Sequence, residues 1–447
     1  MERLTSFFTR MMHKYLPDPF TIAILLTIIT IFLAVSIQGT GFVETTVYWG
    51  EGFWGLLEFT MQMSVILLTG YILANTPLVD KLLNKVISKI KSPSVGIAAA
   101  TVISGICTLI NWGFGLIVGA IIARKIALTV KGVHYPLIIA AAYSGFSLYG
   151  SGISGSVPIT ISTPGHFLEE QIGVIPISET ILSVPMILTS LAILVTLPII
   201  NIMLQPKNKE DIIEISTEPK ETDNQAKAQV SATVEEPITF ANRINNSKVL
   251  GMGISLLGLL YVGSYFISGN SLDLNTLNFL MLFLGMLLLA TPANYLGVLS
   301  RGVGSIAGII IQFPFYAGII GILSGTGLGI TIAQWFTSIS TAQSLPFWSL
   351  ISGYFVNFLA PSGGGQWAIQ GPVMIESAQE IGASYAQIAM AVQLGDAWNN
   401  MVQPFLLVAV LAIAGLKLRD IMGYLVIIMF WVGIVFTCSI LLWSYFG

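Results

Sequence analysis

One carboxylate stands in the middle of an otherwise apolar segment. Asp396 lies in the run Gln393-Leu394-Gly395-Asp396-Ala397-Trp398-Asn399-Asn400-Met401-Val402-Gln403-Pro404, flanked by the apolar stretches 388–392 and 405–413. A charge at that depth in a bilayer costs several kcal/mol unless it is partnered, so an intramembrane Asp is a functional residue by default. Gly395 and Pro404 can interrupt a helix across 394–400 and free backbone carbonyls, while Asn399, Asn400 and Gln403 add neutral oxygens. That set suits a cation: Na⁺ held by Asp396 and Asn399 with neighbouring oxygens such as Asn400, or a proton taken by Asp396 itself. The plainer alternative is an Asp that caps the N-terminus of a half-helix.

A second polar interruption occurs at 143–156, with Gly145, Gly150, Gly152 and Gly155 among Ser144, Ser147, Ser151, Ser154 and Ser156. It has no charge. Ser144, Gly145 and Ser147 could wrap hydroxyl and carbonyl oxygens around an ion, whereas a glycine-serine packing face between helices is the competing reading.

Two helix-breaking tips complete the candidates. Asn111-Trp112-Gly113-Phe114-Gly115 and Ala360-Pro361-Ser362-Gly363-Gly364-Gly365-Gln366-Trp367 each separate two apolar segments. Lipid cannot satisfy free backbone groups, so such tips survive only inside protein or against a water-filled cavity. The first N–H groups of the helix after a tip lack intrahelical partners and sit at its positive end, a receptor for one carboxylate. Asn111, Trp112 and Gly113 with Ser362, Gly363, Gly364, Gly365 and Gln366 are therefore the substrate-site candidates. No Lys or Arg falls in a predicted span centre, which favours a monocarboxylate over a di- or tricarboxylate.

Enzymatic chemistry has little support. His134 and His166 sit in no metal-ligand spacing and read as solvated or capping residues. The stretch 151–155 only loosely overlaps a GxSxG pattern and lacks its strand-to-helix setting. No enzyme activity and no cofactor are expected, beyond Na⁺ as a coupling ion.

Composition says what must position these residues. Of 447 residues 54% are hydrophobic and 9% charged, with mean hydropathy +0.83. Soluble domains carry about 25% charged residues, so this is an integral membrane chain. The net charge of −3 points to no nucleic-acid partner. Cys107 and Cys438 lie in apolar runs, where thiols serve as small hydrophobes. The apolar run 20–37 lacks a cleavage site after it and reads as a retained first span.

The pattern predicts an all-α secondary transporter with about nine spans, two re-entrant hairpins and two interrupted helices. A first repeat covers 1–204, with a hairpin at about 94–130 and a broken helix at about 135–160. A polar linker follows at 205–248. A linking helix and second repeat cover 249–447, with a hairpin at about 346–380 and a broken helix at about 384–414. Lys and Arg gather before the first span and around 81–91, 124–131, 301 and 417–419, while the loops at 39–50, 162–180, 324–345 and 376–383 have none. The positive-inside rule then puts the N-terminus and linker in the cytoplasm and the C-terminus outside. Sliding the chain by 250 positions pairs Gly52 with Gly302, Gln62 with Gln312, Gly113 with Gly363, Tyr135 with Tyr385 and Gly145 with Gly395. Tip falls on tip and break on break, in halves of opposite orientation, which is the inverted-repeat plan of secondary transporters.

The chain resembles the short-chain fatty acid transporter family of the AtoE type, within the wider ion-transporter superfamily. The resemblance spans nearly the full length and is carried by Tyr15-Leu16-Pro17-Asp18-Pro19, the Asn111 tip, His134-Tyr135-Pro136, Gly155-Ser156-Val157-Pro158, Thr163-Pro164-Gly165-His166, the tip at 360–371 and the run 393–404. It implies uptake of small monocarboxylates such as acetoacetate or butyrate across a bacterial inner membrane. It also implies a homodimer in which hairpins and broken helices move, elevator-like, against a scaffold. Symport with H⁺ or Na⁺ follows from the inside-negative potential, which opposes anion entry by about 2.3 kcal/mol per charge per 100 mV. A carrier of a dicarboxylate or of an amphipathic solute is the alternative.

Overall fold

The computed structural model describes Pro17 and residues 19–215 and 239–446, and among them every regular element is helical. In the first half the principal helices are α1 (Pro19–Leu33, continued by a π-turn Ala34–Gln38), α2 (Phe42–Gly52), α3 (Leu57–Ala74), α4 (Pro77–Ile87), α5 (Pro93–Ile110), α6 (Trp112–Thr129), α7 (Tyr135–Ser144), α8 (Ser156–Ile161) and α9 (Val184–Met203). In the second they are α10 (Lys248–Ile267), α11 (Leu274–Leu289), α12 (Pro292–Gly302), α13 (Ala307–Thr326), α14 (Leu328–Ile339), α15 (Leu345–Val356), α16 (Gly363–Ile381), α17 (Tyr385–Asn399), α18 (Pro404–Ala414) and α19 (Leu418–Phe446).

Local chemistry sets the boundaries. α4, α5 and α12 start at a Thr or Ser whose hydroxyl accepts a backbone N–H, followed by Pro at the first helical position. α13, α16 and α18 end on Gly327, Gly382 and Gly415, whose positive φ of 73°, 71° and 66° is open to glycine at no steric cost.

Nine helical segments among the described residues are long and apolar enough to cross a membrane. Seven of them coincide with spans expected from hydropathy, and the other two are not expected spans. Those two are the hairpin arms α5 and α6, at 18 residues each, whereas α11 has only 16 and α17–α18 is split into two short pieces. The chain also forms α2 and α14 where loops 39–50 and 324–345 were expected, and α12 ahead of the span expected at 303–323. α2 and α12 have mixed polar surfaces, and a search for long apolar runs passes over such helices. The break expected at 394–400 is displaced as well: α17 runs unbroken to Asn399, and the interruption is the 3₁₀ turn Asn400–Val402 with extended Gln403. Gly395 does not break its helix. A Cβ there would lie 2.4 Å from Leu350 O and 2.8 Å from Tyr354 N, so glycine lets α17 seat on α15. Gly145 does the same for the first half, where a Cβ would lie 2.6 Å from Gly105 N and 2.9 Å from Thr101 O of α5.

The polar linker is partly docked. Ile213 O accepts from Tyr135 N at 2.7 Å, and Glu214 Oε1 accepts from Gly132 N at 2.6 Å, which ties 205–215 to the start of α7. Residues 216–238, and the basic N-terminal residues Arg3, Arg10 and Lys14, lie outside the described residues.

His134 and His166 are buried, not solvated. Each accepts a backbone N–H at Nδ1, from Ile213 at 3.0 Å and Leu168 at 3.2 Å. Burial holds both rings below the ordinary histidine range, opposed at His134 by Asp211 and at His166 by the Gly173 carbonyl and Glu169. With folded values below unfolded ones, the stability these rings contribute is complete above about pH 6.5 and is lost as pH falls through the lowered folded values. The thermal unfolding midpoint should therefore be flat near neutrality and drop on acidification. His166→Gln, which keeps an acceptor and cannot titrate, should reduce that drop. An identical pH profile in the variant would place the acid sensitivity elsewhere.

Candidate functional site

Asp396 sits in the last turn of α17, at the negative end of that helix dipole, so the backbone does not stabilise its charge. It is not an N-terminal cap. Neutral amides hold it instead. Asn357 Nδ2 donates to Oδ1, while Gln393 Nε2 at 3.3 Å and Asn400 Nδ2 at 3.1 Å donate to Oδ2. Hydrogen bonds to an ionised group are worth about 1.5–3 kcal/mol each. Three of them offset a burial cost of several kcal/mol. The ion pairs among the described residues join Lys125 to Asp80 and Arg419 to Asp420, and neither involves Asp396.

Asn357, directly after α15, is the hub of this network. Its Oδ1 accepts from Asn399 Nδ2 at 2.8 Å and Gln403 Nε2 at 3.1 Å, and its carbonyl accepts from Gln403 Nε2 at 2.9 Å. The second hairpin is thereby bound to the second interruption. The two broken helices are also bound to each other, since Gln393 Oε1 of α17 accepts from Val157 N of α8 at 2.8 Å and the Tyr143 hydroxyl of α7 donates to Asn400 O at 2.5 Å. Asn399 Oδ1, Asn400 Oδ1, Ser147 Oγ and the Tyr149 hydroxyl are buried with no hydrogen-bond partner among the described residues.

At the first tip, Asn111 caps α6 by accepting Phe114 N at 2.9 Å and donates Nδ2 to Ile66 O of α3 at 3.0 Å. At the second, Ser362 caps α16, its Oγ accepting from Gly365 N at 3.2 Å and its carbonyl from Gln366 N at 2.8 Å. Glycines allow the second tip to be gripped closely. A Cβ on Gly363 would lie 2.3 Å from the Tyr149 hydroxyl, one on Gly364 3.0 Å from the Phe59 ring, and one on Gly365 2.5 Å from the Tyr316 ring.

Both tips and both interruptions border one cavity of about 290 Å³. Trp112, Ser362, Gly363, Gly364 and Asn400 line it, as do Phe146, Tyr149 and Ser156 of the first interruption. Its other walls, including Met63, Leu67 and Phe313, are apolar apart from Ser305, and no Lys or Arg borders it.

The remaining sequence candidates are placed otherwise. The side chain of Asn111 is engaged in the fold of its own tip, Gly113 packs on Leu67, and Gln366 donates to Gly353 O and Gln370 Oε1, both at 3.0 Å. Asp396, Asn399 and Asn400 come together, but Ser144 and Gly145 do not join them. Ser144 accepts from Asn201 Nδ2 at 2.9 Å, and Gly145 faces α5. The sequence reading passed over Asn357, Gln393 and Tyr149 as site residues. For Asn357 the available signal was an amide in an otherwise apolar hairpin arm.

Comparison with known proteins agrees in kind. The family described as "Short chain fatty acid transporter" matches residues 1–443. An Escherichia coli (strain K12) protein named "Putative short-chain fatty acid transporter" is 39% identical over 441 residues, covering 98% of this chain and 99% of its own length. A Haemophilus influenzae protein of the same name is 38% identical, covering 95% and 96%. Among solved structures, the Alcanivorax borkumensis YdaH transporter superposes with a TM-score of 0.63 at 14% identity, covering 96% of this chain and 99% of that one. Neisseria gonorrhoeae MtrF, from work on antimetabolite efflux pumps, gives 0.57 at 14% identity, covering 99% and 97%. At that identity the likeness concerns the fold alone.

Proposed function

Because this multi-pass membrane chain belongs to the short-chain fatty acid transporter family, we propose that it imports small monocarboxylates, of the acetoacetate or butyrate type, by symport with H⁺ or Na⁺. The observation that carries this reading is the shared cavity. A helix N-terminus at Ser362–Gly364, both interruptions and Trp112 meet around one space with no basic residue in its wall. Helix-terminal N–H groups suit one carboxylate, and the apolar remainder suits a short hydrocarbon tail.

The cation is cargo in this scheme. Asp396 supplies the charge, and Asn399 Oδ1 and Asn400 Oδ1 are buried oxygens in want of a partner, which suits Na⁺; a proton would reside on Asp396 itself. One cation per monocarboxylate makes uptake electrically neutral, and two make it favourable against the opposing ~2.3 kcal/mol per 100 mV.

Alternating access is read as an elevator-like movement of an inverted repeat. In support, α12 follows α2 by 250 residues at both ends (42 to 292, 52 to 302), and Gly145 and Gly395 occupy matching positions against the hairpin arms. The hydrogen bonds between the two broken helices suit their travelling as one body. The bacterial inner membrane, a cytoplasmic N-terminus and a homodimer belong to the same reading and rest on the charge pattern and the family.

Purified protein in liposomes should accumulate labelled butyrate and acetoacetate under an imposed Na⁺ or proton gradient, and succinate poorly. Preference for succinate, or accumulation indifferent to both gradients, would overturn the reading.

A further inference from the structure

Resting on that reading of the cavity, we propose that Tyr149 donates its hydroxyl to the substrate carboxylate. The anion then sits between Tyr149, the N–H groups of Gly363 and Gly364, and Asp396.

Tyr149 is 3% exposed, its hydroxyl has no partner among the described residues, and it lines the cavity. A buried donor without a partner is unfavourable, and such groups mark places where something else supplies the acceptor. The ring is held in place. It stacks on Phe146 at 5.0 Å and 10°, Phe146 stacks on Tyr143 at 5.9 Å and 17°, and Tyr143 is fixed to Asn400 O. A phenol positioned this way presents its O–H without further ordering on binding.

The second tip supplies the rest. Ser362 satisfies the N–H groups of Gly365 and Gln366, whereas Gly363 and Gly364 start the 19-residue α16 ahead of any carbonyl one turn back. Gly363 lies directly under the Tyr149 hydroxyl, and any side chain there would occupy the space between them. A phenol and two backbone donors converge on one anion, with no guanidinium to demand a second carboxylate.

Asp396 makes this receptor conditional. A Cβ on Gly363 would lie 2.3 Å from the Tyr149 hydroxyl and 3.2 Å from Asp396 Oδ2, so both oxygens border Gly363. Two carboxylates so near each other repel strongly in low-dielectric surroundings. Substrate is then admitted once Asp396 is protonated or carries Na⁺, and coupling is a contact effect at Gly363.

Tyr149→Phe keeps the ring and removes only the hydroxyl. With butyrate as probe in liposomes, KM should rise roughly tenfold or more, the loss of a hydrogen bond to a charged group. Butyramide, uncharged and of similar shape, should compete weakly with butyrate in the parent protein. The ratio of butyrate to butyramide affinity should shrink by a similar factor in Tyr149→Phe. A lowered rate or thermal midpoint with that ratio unchanged would make Tyr149 a packing residue and overturn the proposal. An unchanged KM would do the same. If the parent protein itself takes up no short-chain acid, the reading of the site fails and this proposal with it; if the parent does and Tyr149→Phe matches it, only the role of Tyr149 fails.

Discussion

Asp396→Asn is expected to abolish concentrative uptake while leaving the protein inserted and folded. The substitution is nearly isosteric, so the packing of α17 on α15 is untouched. What changes is the charge and one acceptor. Asn357, Gln393 and Asn400 now donate to an ionisable carboxylate. An amide in its place offers one oxygen to three donors and turns its own NH₂ toward the others, replacing charge-assisted bonds of about 1.5–3 kcal/mol with neutral ones of about 1 kcal/mol. A cation held there would lose the carboxylate that this side chain supplies. Accumulation should fall to the equilibrium level, whichever gradient is imposed, and exchange of substrate for substrate should persist if the cation is a proton. An Asp396→Asn protein that still concentrates butyrate with the parent's cation dependence would remove Asp396 from the coupling step.

Gly395→Ala is expected to be nearly as damaging by a different route. Its Cβ would press on Leu350 O and Tyr354 N, both backbone atoms of α15 that no rotamer change can move. The helices must part, and overpacking of this kind costs typically 1–3 kcal/mol. Parting them also draws Asn357, which follows α15, away from Asp396. Uptake should collapse and the unfolding midpoint in detergent should drop by several degrees. Gly253→Ala on α10, where nothing lies within 4 Å, is the control and should leave both unchanged. Equal behaviour of the two variants would mean that α15 and α17 are not held at this distance in the working protein.

The parts of the site that contrast with their surroundings were legible in the sequence. A carboxylate among apolar residues, glycines at two tips and two polar interruptions all stand out against a hydrophobic background. Contacts made across space were not. Gly395 beside Asp396 has the look of a helix breaker, and only the closeness of α15 reveals why glycine is there. Asn357 resembles a stray amide until Asp396, Asn399 and Gln403 are seen converging on it. Tyr149 is one aromatic among many until its hydroxyl proves to lack a partner. The short helices α2, α12 and α14 went unseen because a long apolar run is the signal of a span, and they have none.

The ring of amides around Asp396 has one more consequence. An Asn or Gln turned end for end keeps its shape while exchanging donors for an acceptor. Asn400, whose Oδ1 has no partner among the described residues, can therefore present N–H groups to a bare carboxylate or its oxygen to a cation beside it with no change of backbone or volume, whereas Asn357 and Gln393 are fixed in orientation by Asn399, Gln403 and Val157 N. A lysine or arginine in the same place would permit only the first arrangement. On the proposed reading, an exchange of H⁺ for Na⁺ at Asp396 would then call for a rotation of the Asn400 side chain and for no new ligand.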